Sequence, residues 1–251
     1  MRRLTAALAV WLLAVPAVAT VTVDAFSPQG TVREVRQVTA RFSDPMVPFG
    51  DLRDVPAPFV IDCAAAGTAH WVDSRTWVFD FTHDLPAGVR CAFTLRDGLR
   101  SLAGEPVSGP ARFEFSTGGP MILSSQPATD GDRIEEEQTF ILSLNGDPTQ
   151  ESVVAHAGFD IEGIAERVGI DLITGAARDQ FIRTLPAWLR PEGAAVVLKA
   201  RQAFPAKAKV RLVWGAGITS PSGIATLRDQ VLTFHVRTPF AAKLSCEREN
   251  A

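Results

Sequence analysis

The stretch Leu85-Pro86-Ala87-Gly88-Val89-Arg90-Cys91-Ala92-Phe93-Thr94-Leu95 lies over Phe204-Pro205-Ala206-Lys207-Ala208-Lys209-Val210-Arg211-Leu212-Val213-Trp214 at a constant offset of 119. Downstream the register persists: Gly98 falls on Gly217, Leu99 on Ile218, Ser101 on Ser220, Gly104 on Gly223, Phe113 on Leu232 and Phe115 on Phe234. Upstream, Gln37-Val38-Thr39-Ala40-Arg41-Phe42-Ser43 resembles Gln138-Thr139-Phe140-Ile141-Leu142-Ser143-Leu144 at an offset of 101, so the second copy carries 18 extra residues between the two matching blocks. Two copies of one unit, the second with an insertion, account for this pattern.

Each copy reads as short strands. Val38, Ala40 and Phe42 alternate with polar residues, as do Trp77, Phe79 and Phe81, then Cys91, Phe93 and Leu95, then Phe113 and Phe115. Period-two alternation marks strands with one face in a core. Breakers separate the runs: Pro28-Gln29-Gly30, Pro45, Pro48, Leu85-Pro86-Ala87-Gly88, Asp97-Gly98 and Ala103-Gly104-Glu105-Pro106. Strands at about ten-residue spacing, joined by turns, predict a β-sandwich of about 100 residues. The fold class expected is all-β: two tandem Ig-like β-sandwiches over residues 20–118 and 119–239, the second with a short helical insertion. Within that insertion Ile164, Val168, Leu172, Phe181, Ile182 and Leu185 recur at helical intervals, which predicts one or two amphipathic helices over about 161–189 that cover a sheet edge. The boundary falls at Gly118-Gly119-Pro120, where early proteolysis is expected.

The chain of 251 residues has room for two such units, and 46% hydrophobic residues supply their cores. A formal net charge of −3 with no basic block excludes an electrostatic nucleic-acid surface. At the amino end Arg2 and Arg3 precede an apolar run from Leu4 to Val15, and Ala17-Val18-Ala19 follows with the pattern a signal peptidase reads. Residues 1–19 therefore read as a signal peptide cleaved after Ala19, sending the protein to the periplasm or outside the cell. The apolar run is short against the roughly 20 residues of a membrane span, and no later stretch is long enough, so no membrane span is expected after cleavage. In an oxidising compartment Cys63 and Cys91 read as a disulfide rather than two buried thiols, and Cys246 is left unpaired.

Catalytic signatures are absent from the reading. His70, His83, His156 and His235 have no metal-helix spacing, and solvated or strand-face positions account for them. Asp160 with Glu162, Glu135-Glu136-Glu137 and Asp130-Gly131-Asp132 fit exposed strand or turn faces. Gly215-Ala216-Gly217 lacks the third glycine of a dinucleotide loop, because Ser220 stands there, and no Gly-x-Ser-x-Gly elbow occurs. Trp71, Trp77, Trp188 and Trp214 could form an aromatic platform for sugar, but Trp77 and Trp214 alternate as core residues do. The reading is of a chain that is not an enzyme, with no catalytic residue, cofactor or metal.

The string Phe26-Ser27-Pro28-Gln29-Gly30, with Gln37 to Met46, Trp77-Val78-Phe79-Asp80-Phe81, Leu85-Pro86-Ala87-Gly88, Leu102-Ala103-Gly104 and Phe113-Glu114-Phe115-Ser116-Thr117, resembles a bacterial Ig-like domain of the SbsA type. Taken with Thr117-Gly118-Gly119-Pro120, Val210 to Gly215 and the ending Phe240 to Asn250, the chain is similar to the N-terminal part of a bacterial α2-macroglobulin. In that family a series of macroglobulin domains entraps a protease after a bait region is cut, often with a thioester. The thioester needs Cys-x-x-Gln, and the residues three after Cys63, Cys91 and Cys246 are Ala66, Thr94 and Glu249.

What the resemblance implies is a non-catalytic N-terminal scaffold module of a periplasmic macroglobulin-type protease inhibitor. Residues 240–251 would open a third domain, and the chain alone would trap nothing. Its partners would be proteins: other macroglobulin domains and, through the full-length product, proteases. A stand-alone exported Ig-like protein of the cell surface, or an adhesin, is the competing expectation.

Overall fold

The computed structural model describes residues 20–50, 55, 57–129, 133–239 and 242. The expected signal peptide with its cleavage at Ala19, the unpaired Cys246 and nearly all of the expected third-domain opening lie outside them.

In the first unit the strands are β1 Val23–Ser27, β2 Gly30–Thr31, β3 Gln37–Phe42, β4 Phe59–Cys63, β5 Gly67–Trp71, β6 Thr76–Phe81, β7 Arg90–Leu95 and β8 Arg112–Ser116. They form two sheets, in the orders β1-β3-β6-β5 and β2-β8-β7-β4. The second unit holds β9 Ile122–Gln126, β10 Arg133–Ile134, β11 Thr139–Leu144, helix α1 Gln150–His156, β12 Ala157–Ile161, β13 Ile170–Ile173, helix α2 Gly175–Thr184, a 3-10 turn Ala187–Leu189, β14 Ala195–Ala200, β15 Lys209–Trp214 and β16 Gln230–Val236. Its sheets run β9-β11-β14-β13 and β10-β16-β15-β12, the same order strand for strand. Even the two-residue strands agree, β2 lying parallel to β8 and β10 parallel to β16. The protein is all-β, with two tandem sandwiches and short helices in the second.

Alternation fills each core. Val38, Ala40 and Phe42 of β3 face Trp77, Phe79 and Phe81 of β6 and the rings of Phe59, Phe93 and Phe115 from the opposite sheet. Phe26 stacks on Phe113 with centroids 4.5 Å apart. The second core gathers Phe140, Phe159, Phe204, Phe234 and Trp214. Each such side chain stabilises the fold by roughly 1.5–3 kcal/mol through area removed from water, and each sandwich has a core of its own.

Strand pairing corrects the sequence match at β3. Phe26 pairs with Ala40 where Ser125 pairs with Leu142, and Val23 with Phe42 where Ile122 pairs with Leu144. Val38 therefore corresponds to Phe140, not to Thr139, and the offset there is 102. Matching Gln37 with Gln138 had slipped the register by one residue, which moves every side chain to the other face of the sheet. Buried Val38, Ala40 and Phe42 meet their counterparts only in the corrected register.

The insertion also differs from its expected form. His70 pairs with Val78 where Ile173 pairs with Val197, so the offset rises from 103 to 119 across one hairpin and sixteen extra residues lie between β13 and β14. Residues read as one helical stripe are divided: Ile170 and Leu172 belong to β13, Val168 bridges Phe159, and only residues 175–184 are α-helical. The sheet edge at β14 is covered by strand β13, whose backbone supplies the missing hydrogen bonds, while α2 buries no residue. Helix α1, before β12, was not foreseen. No helix among the described residues is long and apolar enough to cross a membrane.

Cys63 and Cys91 are directly opposite one another on β4 and β7 and are bonded, with Cα atoms 4.4 Å apart. In the second unit the same ladder positions hold Ile161 and Val210, both buried. One unit closes that place with a covalent bond and the other with an apolar pair.

Candidate functional site at the joint between the two sandwiches

The repeated turn that decides the fold is also where the two units meet. After β6, Leu85 is buried and Pro86-Ala87-Gly88 runs across the end of the first sandwich toward the second. Ala87 donates its N–H to the carbonyl of Asn145 at 2.8 Å, and Gly88 donates to Gly118 in the linker at 2.8 Å. Thr117, only 2% exposed, ties the linker back: its hydroxyl donates to the carbonyl of Pro86 at 2.7 Å and accepts from the N–H of Val89 at 2.9 Å. On the other side Ser222 donates its hydroxyl to the carbonyl of Gly88, and Ser220 lies within hydrogen-bond distance of Ser222.

Second-unit groups hold the linker just as firmly. Asn145 accepts the N–H of Met121 on its side-chain oxygen at 2.8 Å. Gln230 forms a two-way pair with the backbone of Ile122, at 2.9 and 2.7 Å. Trp214, fully buried, donates its indole N–H to the carbonyl of Pro120.

Two glycines make the approach possible. A Cβ on Gly119 would stand 2.2 Å from the backbone nitrogen of Thr226, and one on Gly88 would stand 2.5 Å from Cβ of Ser220. Gly88 in addition has φ of +87°, a left-handed conformation that suits glycine. The linker expected as the first point of proteolysis is consequently buried at Thr117, Gly119 and Pro120. Every group that makes these hydrogen bonds is neutral. Beside it a cleft of about 400 Å³ opens between Thr31 and Arg33 of the first unit and Leu227 to Gln230 of the second.

Asp130, Gly131 and Asp132 lie outside the described residues, and the other residues weighed for chemistry do not converge. Asp160 pairs with Arg167 and Arg211 on an exposed strand face, and its hydrogen bond raises the Arg167 guanidinium above its ordinary value. Glu135 and Glu136 pair with Arg237; the Glu136 carboxyl is held below its ordinary value by its own backbone N–H and then by Arg237. His70 lies 3.5 Å from Asp80, while His83, His156 and His235 are exposed and apart. Trp71, Trp77 and Trp214 are buried, which leaves Trp188 alone at 80% exposure and no aromatic platform among the described residues. No group of three or more acidic, cysteine or histidine side chains that could hold a metal occurs among the described residues. Sequence reading missed the joint because Ala87, Asn145 and Ser222 carry no reactive group; their signal was the conserved offset of a turn that has no core to fill.

No protein-family model matches the chain, and no curated protein matches it. Solved structures do. One is the LD transpeptidase LdtMt1 in complex with imipenem, 15% identical over 81% of this chain and 78% of that one, with a TM-score of 0.30. A second is an L,D-transpeptidase from Mycobacterium smegmatis, 16% identical over 84% and 90%, with a TM-score of 0.28. A third is the N-terminal part of the bacterial S-layer protein SbsC, 13% identical over 88% of this chain and 45% of that one, with a TM-score of 0.26. Two of these three are enzymes by name, and the expectation that the chain is not an enzyme is corrected accordingly: it does not stand. At these TM-scores the likeness assigns neither an activity nor a catalytic residue to this chain.

Proposed function

We propose that the chain is a scaffold module at the N-terminal end of a periplasmic macroglobulin-type protease inhibitor, in which paired sandwiches set the position of the domains that follow. The observation that carries this reading is the joint. Two units of one fold are locked by hydrogen bonds from Ala87, Gly88 and Ser222 and by a linker without slack. Neighbouring domains joined by a small polar interface ordinarily move against each other; a buried linker serves a protein whose domains must keep a fixed spacing. The residues that resemble the SbsA-type Ig-like domain supply the family, and the reading of residues 1–19 as a signal peptide supplies the compartment.

The test is to read the transcript beyond the codon of Ala251, express the whole encoded product and incubate it with trypsin. The expected result is further β-units in the frame, one cut in the product, and trypsin that still cleaves a small peptide but no longer cleaves casein. A product that leaves casein cleavage unaffected overturns the reading.

A further inference from the structure

The first sandwich's joint has a counterpart at the far end of the second. Three hydrogen bonds that shape the tail of the first unit recur: Leu85 to the carbonyl of Val35 becomes Phe204 to that of Glu136, at 3.0 and 2.8 Å; Thr117 to Val89 becomes Val236 to Ala208, both at 2.9 Å; Gly88 to Gly118 becomes Lys207 to Arg237, at 2.8 and 3.2 Å. Lys207 keeps the left-handed backbone of Gly88, with φ of +65° against +87°. Lysine meets a steric cost there that glycine does not, yet the turn retains its shape. Pro239 stands where Pro120 enters the second unit, at the same offset of 119.

Side chains and occupant differ: Val236 has no hydroxyl to repeat the bonds of Thr117 to Pro86 and Val89, and the turn is not covered in the same way. Ala87 is 8% exposed because Asn145 and Gly146 cover it, whereas Ala206 is exposed and its N–H has no acceptor among the described residues. Gly119 and Pro120 are buried; Thr238 and Pro239 are exposed. The turn therefore has the shape of a joint, on an end where no other described residue covers Ala206 as Asn145 and Gly146 cover Ala87.

We propose that Pro205-Ala206-Lys207 with Arg237-Thr238-Pro239 forms a second joint, which receives a further Ig-like unit entered through Pro239, and that Lys207 and Thr238 reserve it for a unit unlike the second sandwich. The incoming unit offers a backbone carbonyl to Ala206, as Asn145 does to Ala87. Its loops opposite 207 and 238 are set back, because a side chain at either place would collide with loops like Ser220–Ser222 and Ala225–Thr226. An acceptor on the loop facing position 207 would take the Lys207 ammonium. A second copy of the chain is a poorer occupant: in its first unit the loop that matches Ser220–Ser222 is Ser101-Leu102-Ala103, where the Leu102 N–H donates to the carbonyl of Pro45 at 2.9 Å and Pro221 has no N–H to give, so the two loops are held differently.

This deepens the scaffold reading by naming the partner of the next joint, and its test involves no protease, so either can fail alone. A further copy of residues 121–239 is fused directly after Pro239 of the chain, with the wild-type tail and with Lys207→Gly and Thr238→Gly together. Amide hydrogen exchange is then read at Ala206, with Ala87 in the same molecule as the reference for a formed joint. In the double-glycine fusion the Ala206 amide should slow by about 100-fold toward the rate of Ala87, as expected when a free N–H becomes part of a locally stable contact. In the wild-type fusion it should stay within about threefold of the unfused chain, the exchange of an amide outside any stable contact. Fast exchange at Ala206 in the double-glycine fusion, with Ala87 still protected, overturns the second joint. Equal protection in both fusions overturns the selectivity of Lys207 and Thr238. Protection that grows with concentration of the unfused chain makes a second copy the occupant and overturns the assignment to a following unit.

Discussion

Trp214 donates its indole N–H to the carbonyl of Pro120 at 2.8 Å, across 94 positions of chain. The ring belongs to the core of the second sandwich and the carbonyl to the linker, so the packing of one unit fixes where the chain leaves the other. Trp214→Phe keeps most of the apolar area but leaves the Pro120 carbonyl buried without its donor. The expected loss is about 1–3 kcal/mol, the cost of an unsatisfied buried acceptor, read as a lower urea midpoint for the second unit. An unchanged midpoint would mean that the linker carbonyl finds water.

Gly119→Ala tests the closeness of the linker. Its methyl group would meet backbone atoms of Ala225 and Thr226, which cannot rotate away as a side chain tip can. Overpacking of this kind costs about 1–3 kcal/mol, and small-angle scattering should show a longer particle as the units part. The same scattering curve as wild type, with normal stability, would contradict the tight joint.

The disulfide and its apolar counterpart make a matched pair. Cys63→Ser with Cys91→Ser should cost the first unit roughly 2–4 kcal/mol, the loop-closure contribution for a 28-residue separation, and leave the second unit untouched. Cys63→Ile with Cys91→Val, the pair found at Ile161 and Val210, should recover part of that loss. Mass spectrometry under non-reducing conditions should find Cys63 linked to Cys91, and unfolding curves of the variants give the sizes.

Asp73, in the hairpin between β5 and β6, accepts the N–H groups of Arg75 and Thr76 at 2.7 and 2.8 Å. The N–H of Arg75 is the main cause that holds its carboxyl below the ordinary value of 3.8, with Thr76 adding to it. A depressed folded-state value stabilises the hairpin above the unfolded pKa, and that contribution fades as pH falls through the folded one. NMR titration should place the Asp73 midpoint below 3.8, with hairpin amides shifting at the same pH. A midpoint at or above the ordinary value would remove the turn's anchoring role.

Burial of the linker moves the first proteolytic cut elsewhere. Trp188, on the 3-10 turn after α2, is exposed and stands between exposed Ala187 and half-buried Leu189. Limited digestion with proteinase K, which cuts after many residue types, should cleave beside Trp188 while residues 117–120 stay intact. Early separation of the two units at the linker would speak against the joint.

The sandwiches were legible in the sequence because alternation and breakers are local: Trp77, Phe79 and Phe81 announce a strand wherever they fold. Register was less so, since Gln37 and Gln138 share a letter but not a ladder position, and only cross-strand pairing distinguishes an offset of 102 from 101. Val168 and Leu172 were misread because four residues apart suits either a helical face or a bridge followed by a strand. The joint stayed hidden for a different reason. Asn145 and Ala87 meet through backbone atoms, and a backbone contact leaves no chemical signature in the letters that make it.

The neutrality of that joint carries one more consequence. Contacts between ion pairs loosen as dissolved salt screens them, but amides, hydroxyls and an indole hold no net charge to screen. The angle between the two bodies should stay the same from dilute buffer to brine, set by backbone contacts and shape rather than by the surrounding electrolyte.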